Sequence, residues 1–241
     1  MKGRGSMDRL YIVIPAYNEE ANIEAVIKEW YPIVERIGND SRLVIIDDGS
    51  KDNTYPILQK FSGQMEQLVG ITKPNGGHGA TILYGYNYAI EAGADYIFQT
   101  DSDGQTLPEE FWDFWEIRNS YDMVIGNRDG RKDGASRVLV TKVLKLVLYL
   151  CFHVKVTDAN TPFRLMKAST LRKYIDLIPK DYNLSNVMVS VIYAKKKLAV
   201  KYIPITFRQR QGGVNSINMK KIFGIGIQAI KDFRRMNQSV M

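Results

Sequence analysis

The sequence predicts an α/β protein with a mostly parallel central sheet and helices on both faces. Two observations carry this prediction. Short apolar segments alternate four times with segments of helical pattern over the first half of the chain. The unusual polar motifs come directly after the apolar segments, and ligands bind at the carboxyl ends of parallel strands. With 241 residues and no evident linker, the chain suits one large domain.

The first predicted strand covers residues 10–14 and ends at Pro15, because proline cannot donate to a strand ladder. The following segment predicts a helix with Asn18 as its N-cap and Gly38 as its end. Its apolar residues recur at the spacing of one helix face, and they are Ile23, Val26, Ile27, Trp30, Val34 and Ile37.

The remaining elements of the first half follow the same alternation. Further strands are predicted at 43–46, 68–72, 96–100 and 122–125. Helices are predicted at about 54–61, from the end of "KPNGGHGAT" to about residue 92, and after the polar segment 101–110.

The second half is less regular. The pattern predicts helices at 137–153, 168–176 and 183–195, with strands at 163–166 and 199–206, and a last amphipathic helix at 218–236. We therefore predict a disordered tail or cloning remnant at 1–9, one domain at 10–216 with halves at 10–127 and 128–216, and a C-terminal amphipathic helix at 217–241.

The composition narrows the classes of partner. The formal net charge of +7 favours anionic partners such as nucleic acid, an anionic membrane surface or anionic ligands. The sequence carries no recognised nucleic-acid motif, so we expect no nucleic-acid partner. The lone Cys151 excludes an internal disulfide and fits a reducing compartment. With no signal peptide or membrane span predicted, we expect a cytoplasmic protein, or one peripheral on the cytoplasmic face of a membrane.

Two carboxylates one residue apart, Asp101 and Asp103, follow the fourth predicted strand. Such a pair can reach one cation from a turn, and hard cations such as Mg²⁺ or Mn²⁺ prefer oxygen ligands. An oxygen of Gln105 could complete the cluster. An EF-hand loop needs glycine at its sixth position, whereas Gly104 is fourth. The alternative interpretation is a pair of capping aspartates in a loop.

Two further loops suggest nucleotide recognition. Asp47 and Asp48 follow the second strand, and a carboxylate there can accept the N–H of a nucleobase. In "NGGHGAT", glycines such as Gly79 allow backbone to approach a phosphate or sugar closely before a helix N-terminus. A dinucleotide-binding fingerprint is excluded because its third glycine position holds Ile82. His78 is interpreted as a polar loop residue rather than a metal ligand.

These motifs together resemble a known family. "IPAYNEE", "DDGSKDNT", "NGGHGAT" and "TDSDGQ", in this order and spacing, resemble family 2 glycosyltransferases of the Rossmann-like GT-A fold. The later "DANTPFRLMK" and "IPITFRQRQGG" resemble its polyprenyl-phosphate branch, which includes dolichol-phosphate mannose synthases. The resemblance covers about residues 10–216.

The resemblance implies an inverting transferase that takes its sugar from a GDP- or UDP-hexose bound by residues 10–127. It implies that Asp101 and Asp103, a DXD motif, hold Mg²⁺ or Mn²⁺ on the diphosphate with help from Gln105, and that Asp103 is catalytic. The implied nucleotide-sugar contacts are Pro15, Ala16, Tyr17, Glu19, Asp47, Asp48, Gly79, Asp101 and Ser102.

The chemical class of the acceptor is predicted from the absence of an acidic side chain late in the sequence. Many relatives that glycosylate a hydroxyl carry an acidic base late in the chain, but no Asp or Glu lies between Asp181 and Asp232. An ionised phosphate acceptor needs no base, so we expect a polyprenyl phosphate. A saccharide hydroxyl with Asp158 as catalytic base is the alternative. A nucleotide-sugar binding protein without turnover is a third hypothesis, disfavoured by the intact DXD pair.

Basic residues are expected to bind the acceptor phosphate. Arg210 matches the arginine that the branch places after "PITF", and we assign it a catalytic role. In the branch a Ser-Lys pair follows, whereas here Ser216 precedes Ile217. The long apolar helix at 137–153, with its lysines, suits a membrane surface, and the alternative interpretation is a core helix with basic edges. The remaining predicted acceptor contacts are Arg128, Arg137, Arg164 and Ser216.

Overall fold

The structure is a computed structural model that describes residues 8–127 and 135–208, with side chains omitted from description at 135–142. Its strands form one sheet in the order β3-β2-β1-β4-β6-β5-β7. Within this sheet β6 runs antiparallel to both neighbours and all other pairs are parallel. The strands are β1 (Leu10–Ala16), β2 (Arg42–Asp47), β3 (Leu68–Thr72), β4 (Tyr96–Gln99), β5 (Met123–Asn127), β6 (Arg164–Lys167) and β7 (Val200–Pro204).

The helices alternate with the strands as predicted. Short 3₁₀ turns at Pro108–Glu110, Arg118–Ser120 and Ile175–Leu177 supplement them. The helix predicted at 218–236 lies outside the described residues. The α-helices are α1 (Ile23–Ile37), α2 (Thr54–Ser62), α3 (His78–Glu91), α4 (Phe111–Glu116), α5 (Ala135–Phe152), α6 (Ala168–Arg172) and α7 (Ser185–Lys195).

The sheet is covered on both faces, which confirms the predicted architecture. Along β1 the side chains alternate between two hydrophobic cores. Val13 packs into the core shared with α3, α5, α6 and α7, whereas Ile12 and Ile14 pack into the core shared with α1, α2 and α4. Burial on both faces explains why the strands read as continuous apolar runs.

Two predicted boundaries near the first loop are wrong. Strand β1 continues through Pro15 to Ala16. Because β4 pairs with β1 only as far as Val13, Pro15 has a neighbouring strand on one side and its missing N–H breaks no second ladder. Asn18 does not cap α1, which begins at Ile23; it adopts a left-handed φ of 54° in the preceding loop.

The sheet gathers the predicted loops at one edge. The parallel strands β1 to β4 all end there, so the loops that follow them are neighbours. Because β6 is antiparallel to β4, its first residue, Arg164, pairs with Gln99 at the same edge. The segment 153–163 therefore also reaches the carboxyl edge.

Candidate active site

The loops after β1 and β2 are fastened to each other by reciprocal hydrogen bonds. The Asn18 N–H donates to Ser50 Oγ at 2.8 Å, and the Lys51 N–H donates to Asn18 Oδ1 at 2.8 Å. The Asn53 N–H donates to Glu20 Oε2 at 3.0 Å. These bonds explain the polar character of both loops, which form one wall of the carboxyl edge.

This wall contains the predicted base-binding residues. Pro15 and Ala16 form the buried end of β1, and the Tyr17 side chain is exposed. The Glu19 carboxylate is buried and accepts a hydrogen bond from Asn22 Nδ2 at 2.6 Å. The exposed ring of Tyr17 can stack on a planar base, whereas Glu19 helps to hold the loop.

The two adjacent aspartates at the end of β2 have different environments. Asp47 Oδ2 accepts from Thr72 Oγ1 at 2.7 Å, and its Oδ1 accepts from the Ser50 N–H at 3.2 Å. Asp48 pairs with the Lys73 ammonium. Its two oxygens also accept N–H groups of the glycine loop.

The Asp48 carboxylate anchors the glycine loop between β3 and α3. Its Oδ1 and Oδ2 accept the N–H groups of Gly76 and Gly77, both at 2.9 Å. Burial by itself would raise the pKa of Asp48, but the hydrogen bonds from Lys73 and Gly76 outweigh it and hold that pKa below its ordinary value. Asp48 therefore organises the loop, which leaves Asp47 and the exposed Tyr17 as the better candidates for base contact.

Gly79 is required by packing rather than by space for a ligand. A Cβ on Gly79 would lie 2.2 Å from the carbonyl oxygen of Tyr182 and 2.5 Å from that of Asn183. The first turn of α3 thus rests on the backbone at 182–183. The close approach that the sequence assigned to a phosphate or sugar is made here by the chain itself.

The DXD pair lies at the tip of β4. Asp101 Oδ1 is buried, and within the described residues it accepts no hydrogen bond. Asp103 Oδ1 accepts the Gln105 N–H at 3.1 Å, which closes the turn. Ser102 is buried between the two carboxylates. The buried, uncompensated carboxylate oxygen is the kind of group that a cation satisfies.

Gln105 is engaged with a remote part of the chain. Its Nε2 donates to the backbone carbonyl oxygen of Arg208 at 3.1 Å, and the backbone carbonyl oxygen of Gln105 accepts the Arg208 N–H at 2.9 Å. The Arg208 guanidinium in turn donates to Glu29 Oε2 at 2.6 Å. These bonds tie the DXD loop to the segment after β7.

His78 lies beside the DXD pair, a position that the sequence interpretation did not assign to it. It is the first residue of α3, and its Nε2 lies 3.8 Å from Asp101 Oδ1. Its side chain is exposed, so it can contact a ligand bound at the DXD pair. The feature of the sequence that could have pointed to His78 is its place at the N-terminus of a helix at the carboxyl edge, because anions bind at helix N-termini.

The residues at this edge fit a divalent cation. Oxygen donors from Asp101 and Asp103 suit Mg²⁺ or Mn²⁺. Over 8–127 and 135–208 no cluster of three or more His, Cys, Asp or Glu side chains could hold a metal alone. Beside these two carboxylates, the side-chain oxygen of Gln105, a substrate or water could supply further ligands.

Arg164 differs from its predicted role as an acceptor ligand. Its guanidinium is fully buried and donates to the carbonyl oxygens of Ala159 at 3.2 Å, Thr161 at 2.6 Å and Asn186 at 3.0 Å. Burial lowers the pKa of Arg164. The side chain therefore holds the segment 159–161 against α7. Its guanidinium N–H groups are occupied by these carbonyl oxygens and do not face a phosphate.

Among the other residues predicted for the acceptor, the structure describes only the side chain of Asp158. Asp158 is half-buried near the carboxyl edge, and its Oδ1 accepts the Asn160 N–H at 3.2 Å. Arg128, Arg210 and Ser216 lie outside the described residues, as does the side chain of Arg137.

Comparison with known sequences identifies related proteins. The model of the family described as "Glycosyl transferase family 2" matches residues 11–175. A UDP-N-acetylglucosamine–dolichyl-phosphate N-acetylglucosaminyltransferase from Methanococcus voltae is 30% identical over 217 residues, which cover 81% of this chain and 84% of the relative. An undecaprenyl-phosphate 4-deoxy-4-formamido-L-arabinose transferase from Shewanella sediminis is 28% identical over 179 residues, 73% of this chain; the match spans only 53% of that longer relative.

Solved structures give the same architecture. Glucosyl-3-phosphoglycerate synthase from Mycobacterium tuberculosis, in complex with phosphoglyceric acid, has a TM-score of 0.70 at 17% identity, over 96% of this chain and 80% of that chain. The same enzyme in complex with Mn²⁺ and UDP-glucose has a TM-score of 0.67 at 18% identity, over 96% of this chain and 79% of that chain.

Proposed function

The chain belongs to glycosyl transferase family 2, and from that premise we propose that it transfers a sugar from a nucleotide-sugar donor to a polyprenyl phosphate. It is a glycosyltransferase with the GT-A fold. The observation that carries the donor half of the proposal is the buried, uncompensated Oδ1 of Asp101 at the carboxyl edge.

In the proposed donor complex, Asp101 and Asp103 hold Mg²⁺ or Mn²⁺. The bound cation supplies positive charge against the negative charge that develops on the leaving nucleoside diphosphate. Tyr17 stacks on the base, and Asp47 lies at the same wall of the pocket. His78, at the N-terminus of α3, faces the diphosphate, because a helix N-terminus favours anions.

The proposed chemistry is one displacement. An oxygen of the acceptor phosphate attacks the anomeric carbon, and the bond from that carbon to the diphosphate oxygen breaks. The bonding electrons leave with the diphosphate, and the anomeric configuration inverts. Because the phosphate is already ionised near neutral pH, no side chain has to remove a proton. Arg210 and Arg128 are proposed to bind the acceptor phosphate.

The relatives support a uridine donor and a lipid acceptor. The archaeal relative is named for UDP-N-acetylglucosamine and dolichyl phosphate, and the bacterial relatives are named for undecaprenyl phosphate. A structural neighbour was crystallised with Mn²⁺ and UDP-glucose. We therefore propose a UDP-sugar rather than a GDP-sugar, and a membrane surface, on its cytoplasmic side, as the place of the reaction.

A saccharide acceptor is the second candidate. Asp158 favours it, because this half-buried carboxylate lies on the segment that reaches the carboxyl edge and could remove a hydroxyl proton. In that reaction Asp158→Asn would abolish transfer. If the acceptor is a polyprenyl phosphate, the same variant would retain sugar transfer.

The test is a transfer assay with the full chain. UDP- and GDP-sugars are incubated with Mn²⁺ or Mg²⁺ and with undecaprenyl or dolichyl phosphate, and products are identified by mass spectrometry. We expect a lipid-linked sugar whose formation Asp103→Asn abolishes. Nucleoside diphosphate release that does not depend on the lipid would contradict the acceptor assignment and would favour the saccharide reaction.

A further inference from the structure

Arg208 contacts the turn that carries the DXD pair with both its backbone and its side chain. Its N–H donates to the backbone carbonyl oxygen of Gln105 at 2.9 Å, and its own carbonyl oxygen accepts from Gln105 Nε2 at 3.1 Å. Its side-chain Nε donates to the carbonyl oxygen of Gly104. All three contacts fall on the two residues that follow Asp103, so Arg208 holds the second half of the turn.

A helix holds the other end of the Arg208 guanidinium. Its Nη2 donates to Glu29 Oε2 at 2.6 Å, and both side chains are half-buried. Glu29 lies on α1, whose apolar face is buried against the sheet. Because arginine presents its donors in a rigid planar fork, one side chain can bridge a carboxylate and a backbone carbonyl group. Arg208 therefore fastens the turn to a packed helix that is remote in the sequence.

The residues before Arg208 are attached to the same loop. The Thr206 N–H donates to the two carboxylate oxygens of Glu110 at 2.9 and 3.0 Å. The Ile205 N–H donates to the carbonyl oxygen of Asn127, the last residue of β5, at 2.9 Å. The segment 205–208 thus passes from β5 to the loop that follows β4.

The contact with Arg208 decides which side-chain atom of Gln105 can meet a cation. A carbonyl oxygen only accepts hydrogen bonds, so the atom of Gln105 that contacts the Arg208 carbonyl group is the amide nitrogen. The oxygen Oε1 is then the amide atom that can serve as a metal ligand. The orientation of this oxygen therefore depends on where Arg208 lies.

We propose that Arg208 is a positioning residue of the metal site, which holds the turn at 103–105 in the form that binds a divalent cation, and that the bound cation in return fixes the segment 205–208. Partners that orient metal ligands from behind change metal affinity about 10- to 100-fold when they are mutated. Coupled equilibria act in both directions by the same factor. The inference rests on the proposed function for the cation at the DXD pair. Two residues after this segment the sequence reaches Arg210, which is proposed to bind the acceptor phosphate.

The first experiment measures the affinity of the full chain for Mn²⁺ by electron paramagnetic resonance, without sugar donor or acceptor. Arg208→Ala should raise the Kd for Mn²⁺ about tenfold, because the turn loses the side-chain part of its attachment. Arg208→Lys can still pair with Glu29 but lacks the fork that also reaches Gly104, so we expect an increase of about threefold. Glu29→Gln keeps an oxygen that accepts from Nη2 and should stay within about twofold of the wild type.

The matched control is Arg118→Ala. Arg118 is also half-buried; its Nε donates to Asp8 Oδ2 at 2.8 Å and its Nη1 to the carbonyl oxygen of Trp115 at 2.8 Å. It therefore has the same two kinds of partner as Arg208. Asp8 precedes the start of β1, at the edge of the sheet opposite the DXD pair. Arg118→Ala should lower thermal stability about as much as Arg208→Ala does and leave the Kd for Mn²⁺ unchanged.

Hydrogen exchange measures the reverse direction of the coupling. Saturating Mn²⁺ should slow exchange of the Thr206 and Arg208 amide hydrogens in the wild type, because both are bonded to the loop that the cation fixes. In Arg208→Ala this slowing should be smaller. The Leu68 amide, at the start of β3 and remote from the carboxyl edge, should exchange at the same rate with and without Mn²⁺.

Three results would overturn the proposal. The wild type could fail to bind Mn²⁺. Arg208→Ala could bind Mn²⁺ as the wild type does, or Arg118→Ala could lose as much affinity as Arg208→Ala, and either result would make the role of Arg208 structural only. If circular dichroism shows that Arg208→Ala is not folded, Arg208→Lys takes its place in each comparison.

The transfer assay is judged separately from these measurements. If the wild type transfers no sugar to a lipid while its Mn²⁺ affinity depends on Arg208 as expected, the proposed function is refuted and the positioning role stands. If the wild type forms the lipid-linked sugar while its Mn²⁺ affinity is independent of Arg208, the positioning role is refuted and the proposed function stands.

Discussion

His78 Nε2 lies 3.8 Å from Asp101 Oδ1, at the edge of the sheet where the N-terminus of α3 meets the tip of β4. The carboxylate oxygen is buried and accepts no hydrogen bond from the described residues. An imidazole beside this carboxylate can contact an anionic ligand of a metal ion that the carboxylate holds. This relationship makes His78 part of the proposed donor site.

The first prediction concerns His78→Ala. Loss of a donor to the diphosphate should raise the donor KM about fivefold, equivalent to roughly 1 kcal/mol, and leave the acceptor KM unchanged. Initial rates with each substrate varied in turn measure both constants. The control is His153→Ala, which removes the other histidine of the chain. A donor KM equal to that of the wild type would remove His78 from the site.

The second prediction concerns Asp101→Asn. The variant should lose Mn²⁺ binding, measured by electron paramagnetic resonance, because it removes one of the two ligand carboxylates. Its thermal stability without metal should equal or exceed that of the wild type by up to about 1 kcal/mol, because Oδ1 of the half-buried carboxylate is itself buried and accepts no hydrogen bond from the described residues. A clear loss of stability would mean that Asp101 is a structural residue.

The third prediction is a pH dependence from Asp48. Its folded pKa lies below the unfolded value, so the folded carboxyl binds its proton more weakly than the unfolded one. The stability it contributes is complete above the unfolded pKa of about 4 and is lost as pH falls through the folded pKa. Chemical denaturation at pH 7 and at decreasing pH below 4 measures this loss.

Asp48→Asn is the matching variant. It should cost about 2–3 kcal/mol at pH 7, because the half-buried Lys73 ammonium loses its charged partner. As pH falls from about 4 through the folded pKa of Asp48, the variant and the wild type should converge, since protonation removes the same charge. A constant difference between them at every pH would contradict the ion-pair argument.

The fourth prediction concerns Gly79→Ala. The added methyl group would meet backbone atoms of Tyr182 and Asn183 at 2.2–2.5 Å, and backbone cannot swing aside as a side chain can. We expect a loss of at least about 2 kcal/mol, measured by denaturant unfolding. The matched control is Gly63→Ala at the end of α2, where the nearest atom is 3.6 Å away and φ is −72°. That variant should be neutral or more stable by up to about 1 kcal/mol. Equal effects at both glycines would refute the packing argument.

The fifth prediction separates two roles for Arg164. Arg164→Lys keeps the charge, but a single ammonium nitrogen cannot reproduce the planar fork whose separate nitrogens reach the carbonyl oxygens of Ala159, Thr161 and Asn186, so we expect a loss of about 3 kcal/mol of folding stability. The sequence-based hypothesis of acceptor binding predicts instead a raised acceptor KM at unchanged stability. Denaturant unfolding and acceptor kinetics on the same preparation distinguish these outcomes.

The predicted order and type of the elements are confirmed wherever the structure describes them. The helix face from Ile23 to Ile37 is buried at all six predicted positions, because the 3.6-residue period is a local property of the chain. The errors at Pro15 and Asn18 arose where a neighbouring strand or loop decided the conformation. Sequence patterns near a residue carry no information about such neighbours.

The sequence by itself determined the α/β alternation, the four loops at the carboxyl edge and the family, because apolar periodicity and short motifs are written within a few residues of each other. Only the tertiary structure decided what each polar residue does there. It committed Asp48 to the glycine loop, enclosed Arg164 with carbonyl groups and placed His78 beside Asp101. Those roles depend on partners far away in the chain, which meet only when the two cores pack the helices against the sheet and fix the direction of each side chain.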